Sequence, residues 1–256
     1  MNSRRPRLLV PLLTIALLAP PAVGVTLPQV DPEGRAIAES AMEAMGGQAA
    51  WNGTRHLSWN FFGSGRRHYW DKWTGDVRIE RAEGQDRDGN RTPATLTLMN
   101  INTRTGRAWL DGEEATGEQL AEMLEGGWRA WVNDSYWMFM PYKLLDPGVN
   151  LAYMGEDLME DDRAADVLQL TFESVGVTPD NKYLVYVARD TGLVEQWSHF
   201  SHRDDAEPGF TRPWADWQGF GDIMLATDHG RGADWEIAVY DELPAALYTD
   251  PDYSME

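Results

Sequence analysis

Histidines and carboxylates are the side chains of this sequence that could catalyse a reaction or bind a metal, since it contains no cysteine. His199 and His202 have the spacing of a helical zinc pair, but their surroundings are typical of a strand that runs into a loop. The segment from Asp86 to Asn90 begins like a calcium loop, but arginine and threonine stand where an EF-hand needs glycine and glutamate. The patterns favour neither metal site, and we expect no metal and no cofactor.

Motifs for covalent or nucleotide chemistry are also absent from the sequence. No serine lies in a G-x-S-x-G elbow, and there is neither a P-loop nor a G-x-G-x-x-G turn. The acidic run from Glu156 to Asp162 is typical of a solvated loop. Paired carboxylates could still converge in space, so a carboxylate-dependent hydrolase stays open as the less favoured alternative. The sequence favours a protein that is not an enzyme.

The first 24 residues have the pattern of a cleaved signal peptide. Arg4, Arg5 and Arg7 precede an uncharged apolar run, and small residues lead up to Gly24. An uncleaved anchor is the alternative interpretation of this segment. We expect cleavage near Gly24 and a periplasmic location. Without cysteine, the exported fold has no disulfide and cannot be acylated on a cysteine.

The mature chain is strongly acidic. Three of the 22 basic residues lie in the signal, which leaves 19 against 41 acidic ones and a formal charge of −22. Nucleic acid is excluded as a partner, because binding it depends on clustered lysine and arginine. An anionic membrane surface would also repel this chain. The simplest role of the charge is to keep a protein with exposed apolar surface in solution.

Periodicity places an apolar helical segment between two blocks of strands. Residues 31–45 predict a helix, 117–125 a short amphipathic one, and Gly126 onward a tryptophan-rich one that ends at Phe139. Alternating segments from 57 to 110 and from 150 to 241 predict strands. Twelve tryptophans exceed the usual share and suit a wide, curved sheet whose concave side needs a helix or a ligand. A lid on a sheet and plain core packing remain equally open on periodicity alone.

Three motifs resemble the LolA-like superfamily of periplasmic lipoprotein carriers. These are the helix end from Met45 to Trp51, the hairpin from Lys182 through Asp190-Thr191-Gly192 to Trp197, and Asp146-Pro147-Gly148-Val149 followed by the strand 167–172. The resemblance spans nearly all of the mature chain. It rests on strand and turn patterns rather than on catalytic residues.

The resemblance implies an α+β fold: an incomplete, unclosed antiparallel β-barrel with an N-terminal helix and a central helical lid over its concave face. Residues 25–256 would form one such domain. The family binds lipid between sheet and lid, and its carrier latches the lid with an arginine of an early strand. Arg55, Arg66, Arg67 and Arg78 are all candidates for that position. The chain is longer than a typical carrier, and its tryptophan-rich lid is its own.

We therefore expect a non-catalytic binding protein, a monomer that holds a lipid, a fatty acyl chain or the acyl group of a lipoprotein. It could be a carrier toward the outer membrane, with a protein partner in either membrane. The alternative on the same fold is an adaptor or sensor module with a filled cavity and an apolar patch outside it. A one-residue error would turn any strand residue to the other face. The expected cavity residues are Trp59, Phe61, Trp70, Trp73, Ile79, Trp128, Trp131, Trp137, Phe139, Leu170, Phe172, Tyr186 and Trp197.

Overall fold

Two short helices begin the part of the chain that is described. The structure is a computed structural model and describes residues 29–61, 65–86, 88–173, 175–230 and 236–255. The predicted signal segment, residues 1–24, lies outside these ranges. Helix α1 (Pro32–Ala44) has Asp31 as its N-cap, whose carboxylate accepts from the backbone N–H of Glu33. At its end Gly46 takes φ 109°, a left-handed conformation that suits glycine, and helix α2 (Gly47–Gly53) follows.

The strands match the predicted blocks before and after the lid segment. In chain order they are β1 His56–Phe61, β2 Arg66–Asp71, β3 Asp76–Arg81, β4 Gly84–Gln85, β5 Arg91–Thr92, β6 Thr95–Asn100, β7 Thr105–Leu110, β8 Glu113–Glu114, β9 Val149–Leu158, β10 Ala164–Phe172, β11 Lys182–Ala188, β12 Val194–Phe200, β13 Phe210–Pro213, β14 Ala215–Phe220, β15 Ile223–Asp228 and β16 Ile237–Tyr240.

The strands form two main antiparallel sheets. The first sheet has the order β16-β1-β2-β3-β6-β7-β8, and the second has the order β13-β12-β11-β10-β9. Strands β14 and β15 pair as a hairpin, as do β4 and β5. The sheets are curved, and within the described ranges they do not close into a barrel. The predicted fold class, an open half-barrel with a helical lid, is confirmed.

One long helix, α3, covers both sheets. It runs for 23 residues from Gly117 to Phe139 and continues into a 3-10 turn, Met140–Lys143. The predicted helix of residues 117–125 runs directly into the predicted tryptophan-rich helix, and the two form one continuous helix. Gly127 lies where α3 comes close to the first sheet, because a β-carbon there would be 3.1 Å from Thr97 Cγ2. Glycine at this position permits close packing rather than ending the helix.

Two apolar cores lie under α3. The first core joins α3 to the first sheet, and the second core joins it to the second sheet. Helix α1 and its C-cap contribute to both, with Met42 and the C-cap Met45 in the first and Ala38 and Ala41 in the second. The main sheet and lid residues of the first core are Leu57, Trp59, Trp70, Val77, Ile79, Met99 and Phe139. Those of the second core are Leu168, Leu170, Phe172, Tyr183, Val185 and Trp197.

The C-terminal segment covers the other face of the first sheet. It contains helix α4 (Ala246–Thr249). Arg78, 6 % exposed, donates to the backbone carbonyls of Leu247, Asp250 and Pro251. His56 Nδ1 lies 3.0 Å from the hydroxyl of Tyr248. Among the described residues, no helix is both long and apolar enough to cross a membrane.

Candidate ligand-binding site

Most of the predicted cavity residues lie between α3 and the two sheets. Those of the first half pack in or against the first core, and Phe61 lies half-buried at the end of β1 under the guanidinium of Arg66, 5.2 Å away. Those of the second half pack in or against the second core. The residues concerned are Trp59, Phe61, Trp70, Ile79, Trp128, Trp131 and Phe139 in the first half, and Trp137, Leu170, Phe172 and Trp197 in the second.

The structure corrects two predicted positions. Trp73 is 62 % exposed in the turn after β2, where its Nε1–H donates to the carbonyl of Asn52. The strand ends at Asp71, so the alternation that would turn Trp73 inward does not reach it. Tyr186 faces away from the lid in a third, smaller cluster with Met159 and Val167, because its neighbours in β11 face the second core.

In the first half, aromatic rings fill the space between lid and sheet. Phe139 of α3 is fully buried, with its ring centroid 5.1 Å from that of Trp59, 5.6 Å from Trp51 and 6.4 Å from Trp70. Trp131, eight residues and about two turns earlier in the helix, meets Trp70 edge to face at 5.1 Å. Edge-to-face and tilted contacts of this kind stabilise the packing beyond area burial alone. This half is a packed core.

A buried ionic cluster ties α3 to strand β2. Asp134 of α3 is fully buried, and its carboxylate accepts from Arg66 at 2.6 and 3.0 Å and from His68 Nε2 at 2.7 Å. The imidazole of His68 in turn stacks on Trp59 at 4.6 Å. Of the arginines considered as a lid latch, Arg66 is the one that this cluster uses. We call Arg66, His68 and Asp134 the latch.

The charges within the latch hold Asp134 ionised. Burial by itself would raise the pKa of Asp134, but the hydrogen bonds from His68 and Arg66, together with the positive charge of Arg66, outweigh it and hold that pKa below its usual range. Burial lowers the pKa of His68, against the opposing effect of Asp134. His68 is therefore a neutral donor to a charged carboxylate at neutral pH. Removing one partner of a buried carboxylate held in this way strongly destabilises the fold, because the remaining charge is left uncompensated.

In the second half, α3 and the second sheet leave a pocket of about 170 Å³ that is partly open to solvent. Trp131, Val132 and Tyr136 of α3 line one side, and Phe172 and Tyr183 of the second sheet line the other. The loop from Val175 to Thr178 closes one edge, and Lys143 and Asp146 lie at another. Of the predicted cavity residues, Trp131, Trp137 and Phe172 line this pocket.

Tyr136 lines the pocket and carries a buried hydroxyl. Its ring contacts Phe172 edge to face at 5.7 Å and Tyr183 at 5.6 Å. Its hydroxyl is buried and has no hydrogen-bond partner among the described residues. Burial, with smaller effects from Tyr183 and Asp146, raises the pKa of Tyr136 well above its usual value. The hydroxyl therefore stays protonated and keeps a hydrogen to donate.

The candidate metal segments have other roles in the structure. Asp86 accepts from the backbone N–H groups of Asp88 and Asn90, which is the geometry of a capped turn. His199 stacks on Phe210 at 4.9 Å, and its Nε2 lies 3.0 Å from Asn181 Nδ2. Within the described part of the chain, no group of three or more histidines and carboxylates could hold a metal ion.

Sequence reasoning missed the latch carboxylate and part of the pocket. Asp134 has a signal in hindsight, since it is an acid three residues after Trp131, on a helix whose apolar residues recur at three- and four-residue steps. Tyr136 was on that apolar stripe but was not among the predicted cavity residues. Tyr183 lies on one face of β11, and Leu184 and Tyr186 lie on the other. Only the observed register shows which face is turned to the lid. The loop 175–178 carries no motif.

No protein-family model matches the chain, and no curated protein matches it. Solved structures with some similarity include a DUF1329 family protein from Desulfovibrio piger, with 14% identity over 85% of this chain and 97% of that one and a TM-score of 0.43. MucB from the Pseudomonas aeruginosa MucA/MucB complex has 15% identity over 77% of this chain and 64% of its own, with a TM-score of 0.26.

The Mycobacterium tuberculosis lipoprotein LppX has 12% identity over 70% of this chain and 99% of its own, with a TM-score of 0.29. TM-scores this low carry no argument about function.

Proposed function

We propose that this protein is a periplasmic, non-catalytic binding protein of the LolA-like type that holds the apolar part of a lipid or acylated ligand between α3 and the second sheet. The pocket under Tyr136 is the observation that supports this most directly. Its walls are mainly aromatic and aliphatic, and its edge carries an ammonium and a carboxylate. A small apolar cavity with few polar groups is the usual form of a ligand site.

The size of the pocket implies that the lid moves when a long chain binds. A volume of about 170 Å³ is close to that of a cavity known to hold one benzene molecule, so it accepts a ring or a short acyl segment. A longer chain needs α3 to separate from the second sheet. The latch and the first core hold the other side of α3, so we expect the second side to open first. Each buried methylene would then contribute about 0.8 kcal/mol.

The test is to fill the pocket and measure uptake of a fluorescent fatty-acid probe. Val177→Trp places a large ring in the loop that lines the pocket, and we expect it to abolish probe binding. The matched control is Val239→Trp, a partly buried valine on β16 that packs against the first core. The control should bind the probe like the wild type. Equal uptake by both variants would place the probe elsewhere and contradict the proposal.

A second function, an adaptor that binds a protein, is favoured by two exposed apolar side chains on β9. Met154 is 55 % exposed and Leu158 is 57 % exposed, both on an outer strand of the second sheet. The filled first half also agrees with this alternative. A photo-crosslinking residue at position 154 should then capture one specific protein in the periplasm, whereas the same residue at exposed position 102 should not. Loss of that crosslink in Leu158→Glu would locate the contact.

A further inference from the structure

Two residues that line the pocket each carry a buried hydrogen-bond donor with no acceptor among the described residues. These donors are the hydroxyl of Tyr136 and the indole Nε1–H of Trp131. Buried polar groups in proteins are nearly always paired, and an unpaired one destabilises the fold. A ligand that supplies an acceptor would remove this cost when it binds.

The surroundings of Tyr136 bear on the kind of acceptor. Asp146 lies at the pocket edge near enough to act on the titration of Tyr136, so a second anion beside that hydroxyl would be repelled. Lys143, the cation at the same edge, is already paired with Asp146, with 3.3 Å between Nζ and Oδ2. The pair leaves no unpaired positive charge to hold a free carboxylate. An uncharged acceptor meets neither difficulty.

We propose that the pocket recognises an uncharged carbonyl compound, an ester, amide or ketone attached to a ring or a short acyl segment, whose oxygen accepts from Tyr136. This inference rests on the proposed function, because it names the chemistry of the ligand for the same pocket. It predicts that the polar linkage of an acylated ligand is buried under α3 with the chain. The ligand's charged part would remain outside, beyond Lys143 and Asp146.

Three small probes of matched shape test this inference: isopropylbenzene, acetophenone and benzoate. They differ only in whether the ring carries an alkyl group, a neutral carbonyl or a carboxylate. We expect acetophenone to bind roughly three- to tenfold more tightly than isopropylbenzene, the usual net effect of one hydrogen bond. Benzoate should bind most weakly. Dissociation constants would come from ligand-observed NMR titration of the wild-type protein.

The variant Tyr136→Phe removes the donor and keeps the ring. It should lose most of the preference for acetophenone over isopropylbenzene. Because no described residue pairs with the hydroxyl, the ligand-free variant should melt no lower than the wild type, which separates this loss from misfolding. Tyr186→Phe, in the cluster that faces away from the lid, is the matched control and should keep the preference.

The variant Asp146→Asn tests the role of charge. It should tighten benzoate binding several-fold while changing acetophenone binding little, because only benzoate is repelled by Asp146. Equal affinity of the wild type for acetophenone and isopropylbenzene would overturn the inference, and so would tighter binding of benzoate than of acetophenone. If none of the three probes binds and the fatty-acid probe is also refused, the proposed function fails as well. Binding of isopropylbenzene without a preference for acetophenone would overturn this inference but support the proposed function.

Discussion

The two halves of α3 meet their sheets in different ways. Toward the first sheet, Phe139 and the surrounding tryptophans fill the interface, and Asp134 is tied to Arg66 and His68. Toward the second sheet, the same helix leaves a pocket lined by Tyr136, whose buried hydroxyl has no partner among the described residues. The first half thus attaches α3 to its sheet, and the second half leaves room for a ligand. A lid that is fixed on one side and loosely packed on the other can open without leaving the protein.

The largest expected effect separates two phenylalanines, one in each half. Phe139→Ala should lower the free energy of unfolding by about 3–5 kcal/mol, because it leaves a cavity in a packed core. Phe172→Ala should cost clearly less, since its ring borders a pocket that already exists. Denaturant titration of both variants measures this difference. Equal losses would show that the two halves are packed alike.

The next effect concerns the latch. Asp134→Asn keeps the size of the side chain but removes the buried negative charge that accepts from Arg66 and His68, and it should cost about 3 kcal/mol. The matched variant Asp146→Asn removes a half-exposed carboxylate at the pocket edge and should change stability little. Both are measured by denaturant titration at neutral pH. A small loss in Asp134→Asn would mean that the first core alone attaches the lid.

Substitutions at two neighbouring glycines of α3 should change stability by smaller amounts and in opposite directions. They test how closely the lid approaches the first sheet. Gly127→Leu should destabilise by about 1–3 kcal/mol, since its side chain would meet Thr97 and Met99. Gly126→Ala should stabilise by up to about 1 kcal/mol, because a β-carbon there meets no atom within 4 Å and alanine favours the helix. Thermal melting of the two variants is the measurement. Shifts of the same sign would contradict this packing.

A further effect is a dependence of stability on pH that involves both halves. Burial lowers the pKa of His68 in the first half, and it lowers the pKa of His229 in the second half to about 3. The unfolded chain takes up these protons below about pH 6.5 and the folded chain does not, so stability should fall as pH falls below that value. We expect a slope on the order of 1 kcal/mol per pH unit for each histidine. Equal stability at pH 7 and pH 5 would contradict it.

Local pattern was enough to predict the strands and the helical lid. Alternation placed β1 to β3 and β9 to β12 within a few residues, and the turn at Asp190-Thr191-Gly192 placed a hairpin. The fold class followed from the order of these elements and the family resemblance. The position of Gly127 did not follow, because its role depends on Thr97 of a distant strand. A glycine pair usually marks a helix end, and here tertiary packing overrides that tendency.

The site was predictable in composition but not in arrangement. The excess of aromatic residues indicated an apolar interface between a sheet and the helix α3, and most of the predicted cavity residues lie at that interface. Which half would be filled depends on the sum of side-chain volumes across two sheets, which no local pattern contains. The partner of Asp134 could not be chosen from four arginines, since only the register of β2 brings Arg66 beneath the lid.

The pairing of β1 with β16 has a consequence for how the chain folds. His56 lies opposite Tyr240, so one edge of the first sheet joins residues from nearly opposite ends of the described chain. Contacts so distant in sequence form slowly, because the entropy of closing a long loop is lost before the contacts stabilise the chain. A chain that is made or exported with its N-terminus first cannot complete this edge until almost all of the chain is present. Until then β1 exposes an unpaired edge that could pair with another strand, and a chaperone would be of most use in that interval.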